Sequence, residues 1–370
     1  MDVSLTVLLL VVAAGALAYV NGANDNSKGV ATLVGARLAT YPRALAWGTA
    51  WTVAGGLAAL VVSSGLVKMF STALVSGGVA ASPRFSLAIA VASWAWVLLA
   101  SRLALPVSTT HALTGAIVGA AVAGGGVEGV QWALLAGVVV LPLAFSPVAS
   151  ALLAYAMHAI FAQPMKRAAR YCVCVEKGQR IVLAPASGTA QYTALSQPVV
   201  ATGDGAECDA AGFQHRLPLT TVAHWGASAA LSFARGLNDT PKIIAIAVLV
   251  GANSAVPSAS LFVLGALMMG LGGYLSGWRV THTLAERVTT IDPLEGLSAS
   301  TVASGLVLAA SWFTLPVSTT HVSSGAIVGA GLRGGASAVS WRTVSTLGAA
   351  WVITVPVSAL LGFSIYTLLW

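Results

Sequence analysis

Two short motifs each occur twice in this chain, in the same order and with similar spacing. The first reads GANDNSK at residues 22–28 and GLNDTPK at 236–242. The second reads LPVSTTH at 105–111 and again at 315–321, about 80 residues after the first motif in each half. Only three of 16 positions differ between 105–120 and 315–330. We therefore expect two equivalent halves that meet at the motifs.

The composition of the chain requires a membrane environment. Its 370 residues are 57% hydrophobic and 8% charged, with a mean hydropathy of +0.86, whereas soluble domains carry about 25% charged residues. A soluble fold cannot bury this much apolar surface, so we predict an all-α polytopic protein of the cell membrane. The net charge of +7 does not indicate nucleic-acid binding, because six of the 18 basic residues lie in one polar segment.

That polar segment divides the chain between the two repeats. It is rich in Gln, Ser, Thr and Gly. We predict a first membrane repeat at 1–162, a polar insert at 163–218 and a second membrane repeat at 219–370. Because short basic loops tend to stay on the cytoplasmic side of a membrane, we expect the insert to be cytoplasmic.

The insert contains all three cysteines of the chain: Cys172, Cys174 and Cys208. In the cytoplasm these thiols are expected to be reduced. A zinc site that also uses His215 is an alternative, but the C-x-C spacing is unusual for structural zinc, so we predict no metal site. Alternating apolar residues at 171–175 and 180–183 predict a small β-hairpin.

Several apolar stretches stop at the motifs and are shorter than the roughly 20 residues that a membrane span needs. This pattern is typical of broken helices. The blocks 105–120 and 315–330 begin with Leu-Pro, pass through hydroxyl residues and end in glycine-rich apolar sequence. We predict that each forms a re-entrant hairpin whose polar tip lies at membrane depth, where irregular backbone is tolerated only inside protein or beside a wet cavity.

Asp25 and Asp239 are the carboxylates within the strongly apolar stretches. A charge in hydrocarbon is energetically costly, so each is a candidate functional residue. Asn24 and Asn238 precede them and add amide oxygens. Carboxylate and amide oxygens are hard ligands suited to Na⁺, and a carboxylate also takes up H⁺. Two such sites on matched repeats favour a transporter with a pseudo-symmetric central site.

The second motif supplies hydroxyl donors in both halves: Ser108, Thr109, Thr110, Ser318, Thr319 and Thr320. If a helix begins at each tip, these groups lie beside free backbone N–H groups and the positive end of a helix dipole, which favours an oxyanion. An ion-coupled oxyanion carrier needs anion donors and cation ligands side by side. A carboxylate next to the anion favours phosphate over sulfate, because phosphate has a proton to donate.

These residues resemble the PiT family of inorganic phosphate transporters, whose G-x-N-D and P-V-S-T-T-H segments occur here once per half. The resemblance implies inverted repeats, alternating access around a central phosphate site, cation symport and a homodimer. It assigns phosphate contacts to these positions: Asp25, Ser108, Thr109, Thr110, Asp239, Ser318, Thr319 and Thr320. Asn24 and Asn238 would hold Na⁺ or orient the acids.

This chain departs from the family pattern at Lys28 and Lys242, where many members have Asn three residues after the Asp. An ammonium at this spacing can pair with the carboxylate on a helix and replace a bound Na⁺ electrostatically, which favours H⁺ as the coupling ion. Arg235, which stands where the first repeat has Asn21, can grip an oxyanion through its fork. The added positive charge keeps sulfate or a related oxyanion as an alternative substrate.

Other interpretations remain for some of these residues. His111 and His321 are either proton relays or hydrogen-bonded struts. The acids could pair with the lysines only to fix helix packing. An anion channel is a less favoured alternative, since paired acids obstruct anion flow. No nucleophile-elbow or phosphate-loop signature is present, so we predict no enzyme. We expect no cofactor, and partners limited to phosphate, Na⁺ or H⁺, the lipid bilayer and a second copy, without nucleic acid.

Overall fold

A computed structural model describes residues 3–76, 78–79, 82–176, 180–183, 191–195, 199–210, 213, 215–251 and 257–369. The chain is mostly helical. Its α-helices are α1 (Val3–Gly35), α2 (Tyr41–Val62), α3 (Ser64–Lys68), α4 (Pro83–Arg102), α5 (Thr109–Gly125), α6 (Trp132–Leu134), α7 (Leu141–Ala168), α8 (Gly205–Ala210), α9 (Leu219–Gly251), α10 (Ser258–Ser276), α11 (Trp278–Glu286), α12 (Pro293–Trp312), α13 (Thr319–Gly331) and α14 (Trp341–Leu368). Met69–Ala73 and Leu135–Val140 are π-helical.

Seven helical segments within the described residues are long and apolar enough to cross a membrane. They are Leu5–Gly35, Tyr41–Val62, Pro83–Arg102, Trp132–Ala168, Ser258–Ser276, Pro293–Trp312 and Trp341–Leu368. The predicted polytopic helical architecture is therefore confirmed. Prolines lie inside two of these segments, at Pro147 and Pro164 in α7 and at Pro356 in α14.

The helices of each half pack mainly against helices of the other half. Helix α1 packs on α10 and α2 on α9, while α5 packs on α14 and α13 on α7. The paired helices approach each other closely because glycines of one helix lie against the backbone of the other. A Cβ at Gly119 would lie 1.8 Å from the Ala359 carbonyl oxygen, and one at its repeat mate Gly329 would lie 2.0 Å from the Ala151 carbonyl oxygen. The G-x-x-x-G spacing of α5 and α13 thus serves close helix packing.

Helices α1 and α9, which carry the first motif of each repeat, run antiparallel. His224 Nε2 lies 3.0 Å from Thr32 Oγ1, near the start of α9 and the end of α1. Farther along, Ser228 donates to the Gly29 carbonyl at 2.6 Å. Arg235 then donates to Asn21 at 3.2 Å. As the numbers rise along α9 they fall along α1, so the two motifs meet where the helices cross.

The blocks that contain the second motif form the tips of two helical hairpins. The prediction that each block is a complete hairpin was wrong, because each block holds only the tip and one helix, and the other arm is the preceding helix. The re-entrant course of these hairpins through a membrane stays a prediction. Helices α4 and α5 make one hairpin, whose flanking segments are joined by a β-bridge between Val75 and Val130. Helices α12 and α13 make the other, with an equivalent bridge between Thr289 and Val339. The start of the first helix and the end of the second helix of each hairpin thus lie side by side, and the tip lies at the opposite end of the helix pair. With 17 and 13 residues, α5 and α13 extend about 25 and 20 Å, too short to cross the hydrocarbon.

The insert contains strands β1 (Tyr171–Glu176), β2 (Arg180–Leu183), β3 (Gln191–Leu195), β4 (Val199–Asp204) and β5 (His215–Pro218). Strand β1 is central and pairs antiparallel with both β4 and β5, while β2 pairs with β3. The predicted hairpin between the first two strands was wrong. Alternating apolar residues identified the strands, but tertiary packing decides which strands pair.

Helix α7 continues to Ala168 and α9 begins at Leu219, directly after the last strand. Cys174 and Cys208 form a disulfide, with their Cα atoms 6.2 Å apart, and Cys172 is a buried free thiol. The expectation of three reduced thiols was therefore wrong, because the sheet places α8 against β1 and brings two cysteines within bonding range. The disulfide also takes these two sulfurs away from any zinc site.

Candidate functional site

The motifs of both halves converge on one buried cluster. Helix α1 contributes Asn21, Asn24, Asp25 and Lys28, and α9 contributes Arg235, Asn238, Asp239 and Lys242. The two hairpin tips also reach the cluster and contact each other. None of these eight side chains belongs to a residue more than 3% exposed. Charged groups this deeply buried need partners inside the protein.

Asp25 and Lys28 form an ion pair one turn apart on α1. The Lys28 ammonium also donates to the Asn24 side-chain oxygen at 2.8 Å. Asn24 is held in turn by the hairpin tip: its amide donates to Ser101 Oγ at 3.0 Å and to the Leu105 carbonyl at 2.9 Å. The predicted pairing of the acid with the lysine is therefore confirmed in the first repeat.

The second repeat has the same arrangement. Lys242 pairs with Asp239 at 3.4 Å and also donates to the Asn238 side-chain oxygen. Asn238 donates to Ser311 Oγ at 2.9 Å, as Asn24 does to Ser101. Asn24 and Asn238 thus orient the lysines and fasten the hairpins. Ser101 and Ser311 were not among the predicted site residues, although they are repeat mates that lie just before the similar blocks 105–120 and 315–330.

Asn21 joins the two halves and was not among the predicted site residues. Its amide lies 3.0 Å from Asp25 Oδ2, 3.5 Å from Asp239 Oδ2 and 3.0 Å from Thr109 Oγ1. Its side-chain oxygen accepts from its repeat mate, Arg235, at 3.2 Å. That mismatch between repeat mates was the signal that could have identified Asn21. Because of it, a single neutral amide lies between the two acids.

Arg235 is fully buried and only partly satisfied. One terminal nitrogen donates to Thr52 Oγ1 at 2.8 Å and the other to Asn21. Its Nε has no hydrogen-bond partner among the described residues. A buried N–H without a partner is costly, and one on a guanidinium beside two acids suits a substrate oxyanion.

Helices α5 and α13 begin at the hairpin tips, which is the condition stated above for an oxyanion site. Helix α4 ends with Ala104 in a left-handed conformation (φ 56°), and α12 ends with its repeat mate Thr314 in the same conformation (φ 55°). The proline that follows favours extended backbone before it. Ser108 Oγ then accepts from His111 N at 3.2 Å, and Ser318 Oγ accepts from His321 N at the same distance, so both serines are N-caps.

The threonines of the two tips have different contacts. Thr110 donates to the Val317 carbonyl at 3.4 Å, and Thr320 donates to the Val107 carbonyl at 2.8 Å, so they tie the tips together. Thr109 approaches Asp25 Oδ2 at 3.4 Å. Its repeat mate Thr319 is also buried. Thr109 and Thr319 therefore have the hydroxyls best placed for a substrate.

The two motif histidines stack instead of joining the acids. Their ring centroids are 4.6 Å apart, and His321 also packs 4.2 Å from the Trp351 ring. His321 Nδ1 lies 2.8 Å from the Leu143 carbonyl. Within the described residues, no hydrogen bond connects either ring to Asp25 or Asp239. This geometry favours the strut over the proton relay.

A cavity of about 420 Å³ adjoins the cluster. Ser101, whose hydroxyl accepts a hydrogen bond from the Asn24 amide, lines the cavity. Two exposed arginines, Arg102 and Arg279, also line it. An anion that entered this cavity would pass the guanidinium groups of Arg102 and Arg279 before it reached Ser101, whose hydroxyl contacts Asn24 in the buried cluster.

The site combines a net positive formal charge with helix N-termini. Three cations, Arg235 and the two lysines, face two carboxylates, which leaves a formal charge of +1. The first backbone N–H groups of α5 and α13 have no partner within their helices. The arrangement can therefore bind an anion, and the acids can accept a proton from it.

Comparisons with known proteins show the family of the chain and its fold. Residues 21–362 match the phosphate transporter family. A Rhizobium meliloti (strain 1021) protein described as a probable low-affinity inorganic phosphate transporter is 27% identical over 351 residues, 94% of this chain and 92% of that protein. A Bacillus subtilis (strain 168) protein with the same description is 26% identical and covers 100% of this chain and 99% of its own length. A solved structure titled the sodium-dependent phosphate transporter shares the fold, with TM-score 0.78, 21% identity and 98% coverage of both chains.

Proposed function

The chain belongs to the phosphate transporter family, and on that basis we propose that it carries inorganic phosphate across the cell membrane as a cation symporter. The family consists of transporters, so the chain is not an enzyme. The observation that carries the proposal is the bridge made by Asn21, which places Asp25 and Asp239, one from each repeat, around a single amide.

The acids determine which oxyanion fits. Both oxygens of Asp25 are engaged, one by Lys28 and the other by Asn21 and Thr109. Asp239 is held less tightly, at 3.4 Å from Lys242 and 3.5 Å from Asn21. Asp239 is therefore the better acceptor for the proton of hydrogen phosphate. Sulfate has no such proton and would be repelled by the carboxylate.

The anion would be held by donors from both repeats. The free Nε of Arg235 and the N-terminal amides of α5 and α13 are available to its oxygens. The hydroxyls of Thr109 and Thr319 lie at the same helix ends. Because the acids, the lysines and Thr109 are already paired, phosphate enters by displacing contacts, and the Asn21 amide is the central one.

Alternating access follows from the matched halves. The antiparallel crossing of α1 and α9 supports inverted repeats, and the contact of one hairpin tip from each half at the cluster supports a site that each half can close. The tips are joined by Thr110 and Thr320. Opening the site to one side requires that these two contacts break.

The test is uptake of radiolabelled phosphate into proteoliposomes under separately imposed Na⁺ and H⁺ gradients, with excess unlabelled sulfate as competitor. We expect saturable uptake that a cation gradient drives and sulfate does not inhibit. Uptake that is linear in phosphate and insensitive to any cation gradient would contradict the symport and indicate a channel.

The acids themselves can be tested in the same vesicles. Changing both Asp25 and Asp239 to Asn should abolish gradient-driven uptake while the protein remains inserted. Asp209→Asn, which removes an exposed carboxylate of the insert, is the matched control and should retain wild-type rates. Wild-type coupled rates in the double variant would refute the assignment.

Sulfate is the second candidate substrate, because the site has a formal charge of +1 and a guanidinium with a free Nε. If sulfate abolishes phosphate uptake and is itself taken up, sulfate is the substrate that the site prefers. Arg235→Gln should then reduce sulfate uptake more than phosphate uptake, because sulfate has no proton to donate to the acids and depends more strongly on the guanidinium.

A further inference from the structure

The ammonium group of Lys28 is enclosed by oxygen atoms in the interior of the protein. The residue is 1% exposed. Its Nζ lies 2.9 Å from the Asn24 main-chain oxygen and 2.8 Å from the Asn24 side-chain oxygen, and it contacts the Asp25 carboxylate. Main-chain carbonyl, amide and carboxylate oxygens are the ligands that hard metal cations prefer.

Lys242 is enclosed by still more oxygen ligands. Its Nζ lies 3.0 Å from Thr110 Oγ1, 3.0 Å from the Val317 carbonyl and 3.4 Å from Asp239 Oδ1, and it contacts the Asn238 side-chain oxygen. An ammonium group has three N–H donors, so four surrounding oxygens exceed what its hydrogen bonds require. The shell resembles the coordination sphere of a small cation.

We propose that Lys28 and Lys242 are tethered cations, whose ammonium groups fill one cation site in each repeat so that neither site takes up Na⁺. The inference rests on the proposed cation-coupled function and narrows the identity of the coupling ion. Both lysines occupy the same position, three residues after the acid of the repeated motif. The oxygens around each ammonium, three at Lys28 and four at Lys242, are of the kinds that a hard metal cation binds.

The formal charge of the site also supports the replacement of Na⁺ by the two lysines. With both lysines and Arg235 facing two carboxylates, the formal charge is +1 before any ion binds. Without the lysines it would be −1, and an anion would enter only after free cations had neutralised the acids. The tethered ammonium groups supply that neutralisation permanently, so phosphate binds without Na⁺.

The first test is thermal unfolding of the purified protein in detergent, with NaCl or choline chloride at equal ionic strength. We expect the wild-type Tm to be the same in both salts. Lys28→Asn and Lys242→Asn each remove a tethered charge and supply an amide oxygen, so Na⁺ should raise their Tm. The rise should be about 3 °C at a Na⁺ concentration 100 times the dissociation constant.

The matched control is Lys68→Asn, which removes an exposed lysine at the end of α3 and should respond like wild type. A wild-type protein that Na⁺ stabilises overturns the proposal, and this holds even if the variants fail to fold. Folded variants as indifferent to Na⁺ as wild type overturn it as well, because the space left by the ammonium would then not be a cation site.

Binding of radioactive ²²Na⁺ provides a second readout that needs no substrate. Wild type should bind none above background, and the double Lys28→Asn/Lys242→Asn variant should bind saturably. Phosphate uptake separates this proposal from the proposed function. Wild-type uptake that proceeds fully in choline supports the tethered cations, whereas Na⁺-dependent uptake overturns them and leaves the symport intact. A protein that transports no phosphate refutes the symport, while the Na⁺ measurements still decide the role of the lysines.

Discussion

The ion pair between Asp25 and Lys28 is buried deeply enough for its removal to have a calculable consequence. The two side chains are 2% and 0% exposed, so neither charge reaches water when its partner is lost. Breaking a buried pair from one side costs about 3–5 kcal/mol, because an uncompensated charge remains inside the protein. We therefore expect Asp25→Asn and Lys28→Asn each to lower the free energy of unfolding by that amount in choline chloride.

The double variant Asp25→Asn/Lys28→Asn removes both charges together. It loses hydrogen bonds but leaves no unpaired ion, so its cost should not exceed about 3 kcal/mol. The single costs sum to at least about 6 kcal/mol, so the coupling energy of the pair should be at least about 3 kcal/mol. Unfolding in mixed detergent micelles, followed by tryptophan fluorescence, measures all four proteins.

The exposed pair between Asp209 and Arg216 provides the control cycle. Their side chains are 54% and 45% exposed, and surface pairs contribute about 0–1 kcal/mol. The cycle of Asp209→Asn and Arg216→Gln should therefore give a coupling energy below about 1 kcal/mol. If the buried pair couples no more strongly than this surface pair, the reasoning from burial is wrong.

Three further substitutions test other parts of the site and its scaffold. Gly119→Ala should destabilise the protein by about 1–3 kcal/mol, because its Cβ would meet the Ala359 carbonyl at 1.8 Å. Gly348→Ala, whose Cβ meets nothing within 4 Å, should be neutral or stabilising by up to about 1 kcal/mol, and equal Tm values for the two would contradict the packing argument. Asn21→Ala should raise the KM for phosphate about tenfold or more, since the two acids lose their shared donor, and an unchanged KM would remove Asn21 from the site. Arg102→Gln should raise KM about 2–5-fold at low salt and less at high salt, and a salt-independent effect would argue against steering.

The repeated motif predicted the position of the hairpin tips but not the role of each hydroxyl residue there. Proline, hydroxyl residues and short apolar runs predicted re-entrant segments, and α5 and α13 begin at the hairpin tips. The pattern also suggested that all six hydroxyl residues face the substrate. In the structure Ser108 and Ser318 cap helices, and Thr110 and Thr320 join the tips. A hydroxyl at a helix start serves a cap or a ligand equally well, and only the approach of the second tip decides between them.

The insert shows a different limit of sequence reasoning. Alternating apolar residues located strands, but the pairing of β1 with β4 and β5 and the approach of Cys174 to Cys208 depend on how the module packs. Neither follows from residues adjacent in sequence, because a strand has two edges and its alternation specifies no partner.

The sequence by itself determined the membrane environment, the duplication and the pairing of each acid with its lysine, because hydropathy, repetition and helical spacing are local properties. Only the tertiary structure decided that α1 crosses α9 antiparallel, so that Asn21 meets Arg235 and both acids share one amide. It also placed Thr110 and Val317, from opposite hairpins, around one ammonium group. Lys242 contacts Thr110 and Val317, and Arg235 contacts Asn21, across more than 70 positions of sequence. The helices that carry these lysine and arginine contacts approach the other half closely because glycines such as Gly22 and Gly236 lie against its backbone.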